Sequence, residues 1–128
     1  MSGSKLFLTL SFFLFWVSLN GQSWPQIGAD IDGEAAGDFS GRSLSMPNTN
    51  TVAIGAPFNS GGGSMGGHVR VYQFNGTSWL QKGIDLDGDT TNDNYGVSIS
   101  MPDAKTLAVG ADSHDGNDIN DGVVRVYK

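Results

Sequence analysis

Laid over itself with an offset of 55 residues, this chain matches itself without a gap from Trp24 to Tyr127. Trp24, Gln26 and Gly28 fall on Trp79, Gln81 and Gly83, and Asp30, Asp32 and Gly33 fall on Asp85, Asp87 and Gly88. Asp38 and Gly41 meet Asp93 and Gly96; Ser43, Ser45, Met46 and Pro47 meet Ser98, Ser100, Met101 and Pro102. Ala53, Gly55 and Ala56 meet Ala108, Gly110 and Ala111, and Gly67 and Val69 to Tyr72 meet Gly122 and Val124 to Tyr127. About 22 identities in about 50 aligned pairs exceed chance. A period of this size marks a solenoid, a propeller or an array, in which each unit buries its apolar face against a neighbour.

Each unit reads as four short strands. Arg42 to Met46 alternates, and Pro47-Asn48 turns the chain. Thr51 to Ala56 is β-branched and apolar on both faces, as a central strand is. A Gly- and Ser-rich loop follows from Asn59 to Gly67, and His68 to Phe74 alternates strictly, as a half-buried strand does. Asn75-Gly76 signals a hairpin, because both positions tolerate positive φ in a type I′ turn. Trp79 to Ile84 then returns as the fourth strand. Gly and Asp recur too often for a helix. The expectation is an all-β fold: two tandem four-stranded antiparallel blades of β-propeller type, about residues 24–78 and 79–128, forming an incomplete propeller. A β-sandwich produced by duplication is the alternative. Gly55-Ala56, repeated as Gly110-Ala111, favours blades, since small residues on a central strand let neighbouring sheets approach closely.

The repeats, within residues 22–128, follow a segment of a different kind. Lys5 heads an apolar run from Leu6 to Val17, and a polar stretch to Gln22 follows. That order reads as a signal peptide over residues 1–21, cleaved after Gly21. The run falls short of the roughly 20 apolar residues that cross a bilayer, so no membrane span is expected in the mature chain. The placement implied is secreted or cell-surface. There are no cysteines, so stability must come from packing, metal or self-association. Every acidic residue, from Asp30 onward, lies after the leader, and the full chain carries a net charge of −6. That charge argues against nucleic acid and against anionic membrane surfaces.

The repeat motifs resemble the FG-GAP repeats of the integrin-alpha N-terminal type of β-propeller. The "FG" place is Tyr95-Gly96 in the second unit and Ser40-Gly41 in the first, where the aromatic is displaced to Phe39. The "GAP" place is Gly55-Ala56-Pro57 and then Gly110-Ala111-Asp112. The resemblance implies seven blades, extracellular placement, partner binding on one rim, and often calcium in the loop between the first two strands. That loop is short here: Pro47-Asn48-Thr49-Asn50 and Pro102-Asp103-Ala104-Lys105. It lacks the several oxygens that calcium needs.

The phase of the repeat carries its own expectation. Trp24 to Ile31 is a fourth-type strand with no first three before it, and Val123 to Tyr127 is a third-type strand with no fourth after it. Two blades do not close a ring. The units therefore belong to a longer propeller, or several copies share strands to complete one, which makes a homo-oligomer a candidate state.

Two acidic groups are candidate calcium ligands. Asp85, Asp87, Asp89 and Asp93 precede the second unit and are the favoured metal set, with Asp30, Asp32, Glu34 and Asp38 at the same places before the first, although Gly88 and Thr90 break the EF-hand spacing. A solvated acidic turn is the competing reading. Asp112, Asp115, Asp118 and Asp121 lie in a loop without acidic counterparts in the first unit, which favours a hydrated loop. His68 and His114 have no partner at a metal-ligand spacing. Trp24 and Trp79 read as packing between sheets rather than sugar platforms. Arg70 and Arg125 alternate with apolar residues and face solvent or pair with an Asp. Asn75-Gly76-Thr77 matches a glycosylation acceptor as well as a tight hairpin. No Ser-His-Asp or comparable catalytic arrangement is visible. The expected function is a non-catalytic extracellular interaction or adhesion module with a protein or glycan partner at the cell surface. The alternative is a small lectin whose two-blade chains assemble into a closed ring.

Overall fold

The computed structural model describes residues 2–4, 21 and 23–128. The signal peptide expected over 1–21 therefore lies almost wholly outside the described residues. Among those described, no helix is long and apolar enough to cross a membrane. The described residues are all-β, with eight strands in two antiparallel sheets.

The first sheet comprises β1 (Ser43–Asn48), β2 (Thr51–Ala56), β3 (His68–Phe74) and β4 (Trp79–Gln81), in that order, with β5 (Leu86–Asp87) also on β3. β2 is central and almost entirely buried, as its apolar composition requires. β1 runs through Pro47 rather than turning there. Its pairing with β2 slips between Ser45 and Asn48, so proline's missing N–H falls at an irregularity on an edge strand. The fourth strand expected over Trp79 to Ile84 is divided. β4 stops at Gln81, Gly83 takes a φ of +82°, and Ile84 points into solvent before β5 rejoins β3. The turn at Asn75-Gly76 is not type I′. Only Gly76 has positive φ, while the Asn75 side chain accepts from the N–H groups of Thr77 and Ser78 at 2.9 and 2.8 Å. The asparagine shapes the turn with its side chain rather than its backbone.

The second sheet repeats the first three strands: β6 (Ser98–Asp103), β7 (Thr106–Ala111) and β8 (Val123–Tyr127). Registers repeat as well: Ser43 opposes Gly55 and Ser98 opposes Gly110. Trp24 to Ile31, expected as a fourth-type strand, forms no strand. The segment lies beside the β3–β4 hairpin, where Ile27 accepts from Trp79, and there the edge of β3 is already occupied by β4 and β5. The segment nevertheless keeps its local turn. Gln26 Nε2 donates to Asp30 and to the Gly28 carbonyl, as Gln81 Nε2 donates to Asp85 and to the Gly83 carbonyl.

The core lies between the sheets. Ala53 and Val69 from the first meet Tyr95, Met101, Leu107, Val109 and Ala111 from the second. Two serines stitch the contact: Ser43 Oγ donates to the Gly96 carbonyl at 2.6 Å, and Ser45 Oγ accepts from the Met101 N–H at 3.0 Å. The small residues on β2 matter here as expected. A β-carbon on Gly55 would overlap the Gly96 carbonyl, and one on Gly96 would lie 2.7 Å from the His68 carbonyl oxygen. The sheets touch backbone to backbone at this point.

The Gly-rich loop after β2 has a similar use. Gly67 accepts from Gly88 N, Gly66 from Tyr95 N and Ser64 from Asn92 N. A β-carbon at Gly62 would strike the Gly88 carbonyl, and one at Gly66 would come within 3.1 Å of the Thr90 carbonyl. The glycines let the loop of one repeat lie directly on the linker of the next.

Candidate functional site

β3 carries Arg70 near the outer edge of the first sheet, and three acceptors converge on it. Arg70 Nε and Nη2 donate to Asp85 at 2.8 and 2.6 Å, and Nη2 reaches Glu34 at 3.1 Å. Gln81 Nε2 supports Asp85 at 2.6 Å. The Arg70 guanidinium holds the Asp85 carboxyl down to about 2, and the pair raises the pKa of Arg70. His68 lies below, buried, with Nδ1 3.9 Å from Asp85 and no hydrogen-bond partner. Burial and then Arg70 lower its pKa, so the neutral imidazole is favoured.

Glu34, His68 and Asp85 bring ligand atoms within 4.8 Å of one another, so this is where a divalent cation could be held. Arg70 already neutralises two of the three. An incoming cation would have to displace that guanidinium. As it stands, the cluster fastens the segment before β1, strand β3 and the β4–β5 bend to one another.

The second repeat has the same device in reduced form. Arg125 donates through both terminal nitrogens to Asp89, the residue equivalent to Glu34, and its guanidinium lies 5.5 Å from the ring centre of buried Tyr95. A second pair also recurs. Buried Asp38 accepts from Ala35 N at 3.1 Å and Asn59 Nδ2 at 2.8 Å. Its counterpart Asp93 accepts from the N–H groups of Asp89 and Thr90 and from Thr90 Oγ1. His114, which replaces Asn59 in the repeat, brings Nδ1 within 3.2 Å of Asp93, out of line for a hydrogen bond. Burial raises the Asp93 pKa, but Thr90 and His114 more than offset that, leaving it below the ordinary carboxylate range.

The four favoured metal candidates are thus placed in different surroundings. Asp85 is on Arg70, Asp89 on Arg125, and Asp93 is buried under its own loop. Asp87 is exposed, facing His68 across the β3–β5 pairing. Among the described residues, only Asp85 of these joins a group of three metal-capable side chains. In the other acidic loop, Asp121 accepts from the N–H groups of Gly116, Asn117 and Asp118, and these bonds lower its pKa. Asp115 accepts from Asn120 N at 2.7 Å. These carboxylates close a turn. Trp79 packs on Phe74 with ring centres 5.1 Å apart and donates to the Ile27 carbonyl, so it caps the β3–β4 hairpin rather than the space between sheets. Trp24 is 84% exposed.

The sequence offered Arg70 and Arg125 as partners of an Asp, which they are, but did not say which carboxylates each would bind. The signal that joins them is spacing: Glu34 precedes Arg70 by 36 residues, and Asp89 precedes Arg125 by the same 36. Comparison with family models, with curated proteins and with solved structures finds no match to this chain.

Proposed function

We propose that the chain is an exported, non-catalytic interaction module of the adhesion type, built from two FG-GAP-type repeats stacked as neighbouring blades of a propeller. The observation that supports this most is the use of its recurring polar residues. Arg70 with Glu34 and Arg125 with Asp89 tie the segment ahead of each repeat to its third strand, and buried Asp38 and Asp93 are satisfied by nearby loop groups at matching places. These groups build a scaffold, and while the loop from Asn59 to Gly67 is bonded to the inter-repeat linker, its counterpart from Asp112 to Gly122 is exposed and differs in sequence. Such loops on a rigid frame are where partners bind. The partner is an extracellular protein or a surface glycan.

The test is expression of the full chain in a secreting host, with the intact mass of the released product. Cleavage after Gly21 and release to the medium are expected. The released chain is then immobilised and exposed to extracellular-matrix proteins and to a glycan array. Saturable protein binding that is lost when the Asp112 to Gly122 loop is replaced supports the module. An uncleaved, cell-retained chain overturns it, and binding confined to glycans replaces it with the lectin reading.

A further inference from the structure

The first sheet presents to the second a face made of Ser43, Ser45, Ala53, Gly55, Val69 and Val71. The equivalent face of the second sheet is Ser98, Ser100, Ala108, Gly110, Val124 and Val126, identical at all six places and in the same registers. The first face is covered: Val69 is 0% exposed. The second is open: Val124 is 70% and Val126 68% exposed. At the other end of the stack, the first sheet exposes Leu44 and Met46. Their equivalents are Ile99, packed against the core, and Met101, buried within it. One surface of this chain is therefore a copy of a socket whose filling is visible, and another is a copy of the filling.

The edges tell the same story. Among the described residues β8 pairs on one side only, with β7, whereas its equivalent β3 also carries β4 and β5. The residues that pair with β3 are Trp79 to Gln81 and Leu86-Asp87. Trp24 to Asp32 repeats that stretch with Trp, Gln, Gly, Asp and Asp at the same places, and forms no strand in its own chain. Finally, Arg70 binds two carboxylates, Glu34 and Asp85. Arg125 binds the counterpart of the first, Asp89, through Nη1 and Nη2. The counterpart of the second is Asp30.

We infer that a second copy of this chain docks head to tail on the second sheet. Its Trp24 to Asp32 segment is added to the edge of β8, and the outer face of its first sheet, exposed at Leu44 and Met46, covers Val124 and Val126. One rigid placement, the one that carries the first repeat onto the second, satisfies the edge, the face and the Arg125–Asp30 pair together. Val124 then opposes Ile31 of the incoming copy, as Val69 opposes Leu86 within the chain. A contact of this kind uses different surfaces on the two copies, so it propagates into a ring or a filament rather than stopping at a symmetric pair. The inference rests on the proposed loss of the leader, which frees the chain ahead of Trp24.

The chain has no cysteine, which permits a direct trap. Secreted chains carrying Val124→Cys alone are mixed with chains carrying Ile31→Cys alone, and mass is followed by light scattering across concentration. The expected result is a mixed disulfide between unlike chains, with native mass rising above that of the single chain. Val124→Asp, at a site open to solvent in the single chain, is expected to abolish that rise with an unchanged thermal transition, and Asp30→Lys to reduce it. A chain that stays monomeric at every concentration overturns the inference, as does a disulfide formed only between like chains. The N-terminal sequence of the same samples separates the two readings. An uncleaved leader counts against export, whereas a cleaved and monomeric chain counts against docking alone.

Discussion

Arg70 grips both carboxylate oxygens of Asp85 across 15 residues of chain, at 2.8 and 2.6 Å, and so locks the bent fourth strand onto β3. Because Arg70 holds the Asp85 pKa at about 2, against an ordinary 3.8, this link contributes stability that is fully present above about pH 4. It is lost as pH falls toward 2. The carboxylate is partly open to water, which reduces the contribution to roughly 1–2 kcal/mol. Urea midpoints for the parent and Asp85→Asn should differ at neutral pH and converge near pH 2. A constant gap would show that the ion pair is not the source.

His68 acts in a higher window. Its imidazole is buried, unpartnered at Nδ1 and favoured in the neutral form. A depressed folded-state pKa means that stability is full above about pH 6.5 and declines as pH falls through the folded value. Val123 stands at the equivalent place in the second repeat. His68→Val should therefore flatten the pH profile of stability below pH 6.5 and cost about 1 kcal/mol or less at pH 7.5. Thermal melts of both proteins across that range are the check.

Gly55 and Gly110 occupy matching positions with different neighbours. A β-carbon at Gly55 meets the Gly96 backbone, whereas at Gly110 the closest atom is the Ser98 hydroxyl, which can rotate away. Gly55→Ala should destabilise the chain by about 2–3 kcal/mol and Gly110→Ala by less than about 1 kcal/mol. Equal losses in denaturant titrations would contradict the stacking of the sheets at this point.

Tyr95 is wholly buried, contacts the core and shares a hydrogen bond with Tyr127. Burial and then the Tyr127 hydroxyl raise its pKa, so it stays a neutral phenol. Tyr95→Phe removes one hydrogen bond and should cost about 1 kcal/mol. Tyr95→Ser, which copies the Ser40 of the first repeat, opens a cavity and should cost about 3–5 kcal/mol. The ratio of the two losses, measured by equilibrium unfolding, separates packing from hydrogen bonding.

The strands that alternate or run apolar were readable in the sequence: Thr51 to Ala56 and His68 to Phe74 form as their patterns require. Gly55-Ala56 announced close sheet contact because only a missing side chain lets two backbones meet. The break at Gly83 was not readable. Its residues retain strand composition, and the bend is a local turn, recurring at Gly28, in which the glutamine two places earlier bonds the glycine carbonyl and the following aspartate. Trp24 to Ile31 has the composition of a strand but lies beside the β3–β4 hairpin, where the edge of β3 is already taken by β4 and β5, and composition carries no information about which edges are taken. That Arg70 pairs with an Asp was an expected alternative, but its partners Asp85 and Glu34 were not readable. Carboxylates adjacent in sequence, Asp85 and Asp89, answer to different arginines, so grouping by sequence distance placed together what the fold sets apart.

The glycine-lined loop that lies on the inter-repeat linker bears on how the chain comes apart. Because backbone bonds from Ser64, Gly66 and Gly67 fasten the linker itself, the second sheet cannot swing away while the first stays intact. Two repeats joined by a free tether would melt as separate units, each at its own temperature. Here the hinge is zipped shut, and heating should give one sharp transition whose calorimetric and van't Hoff enthalpies agree.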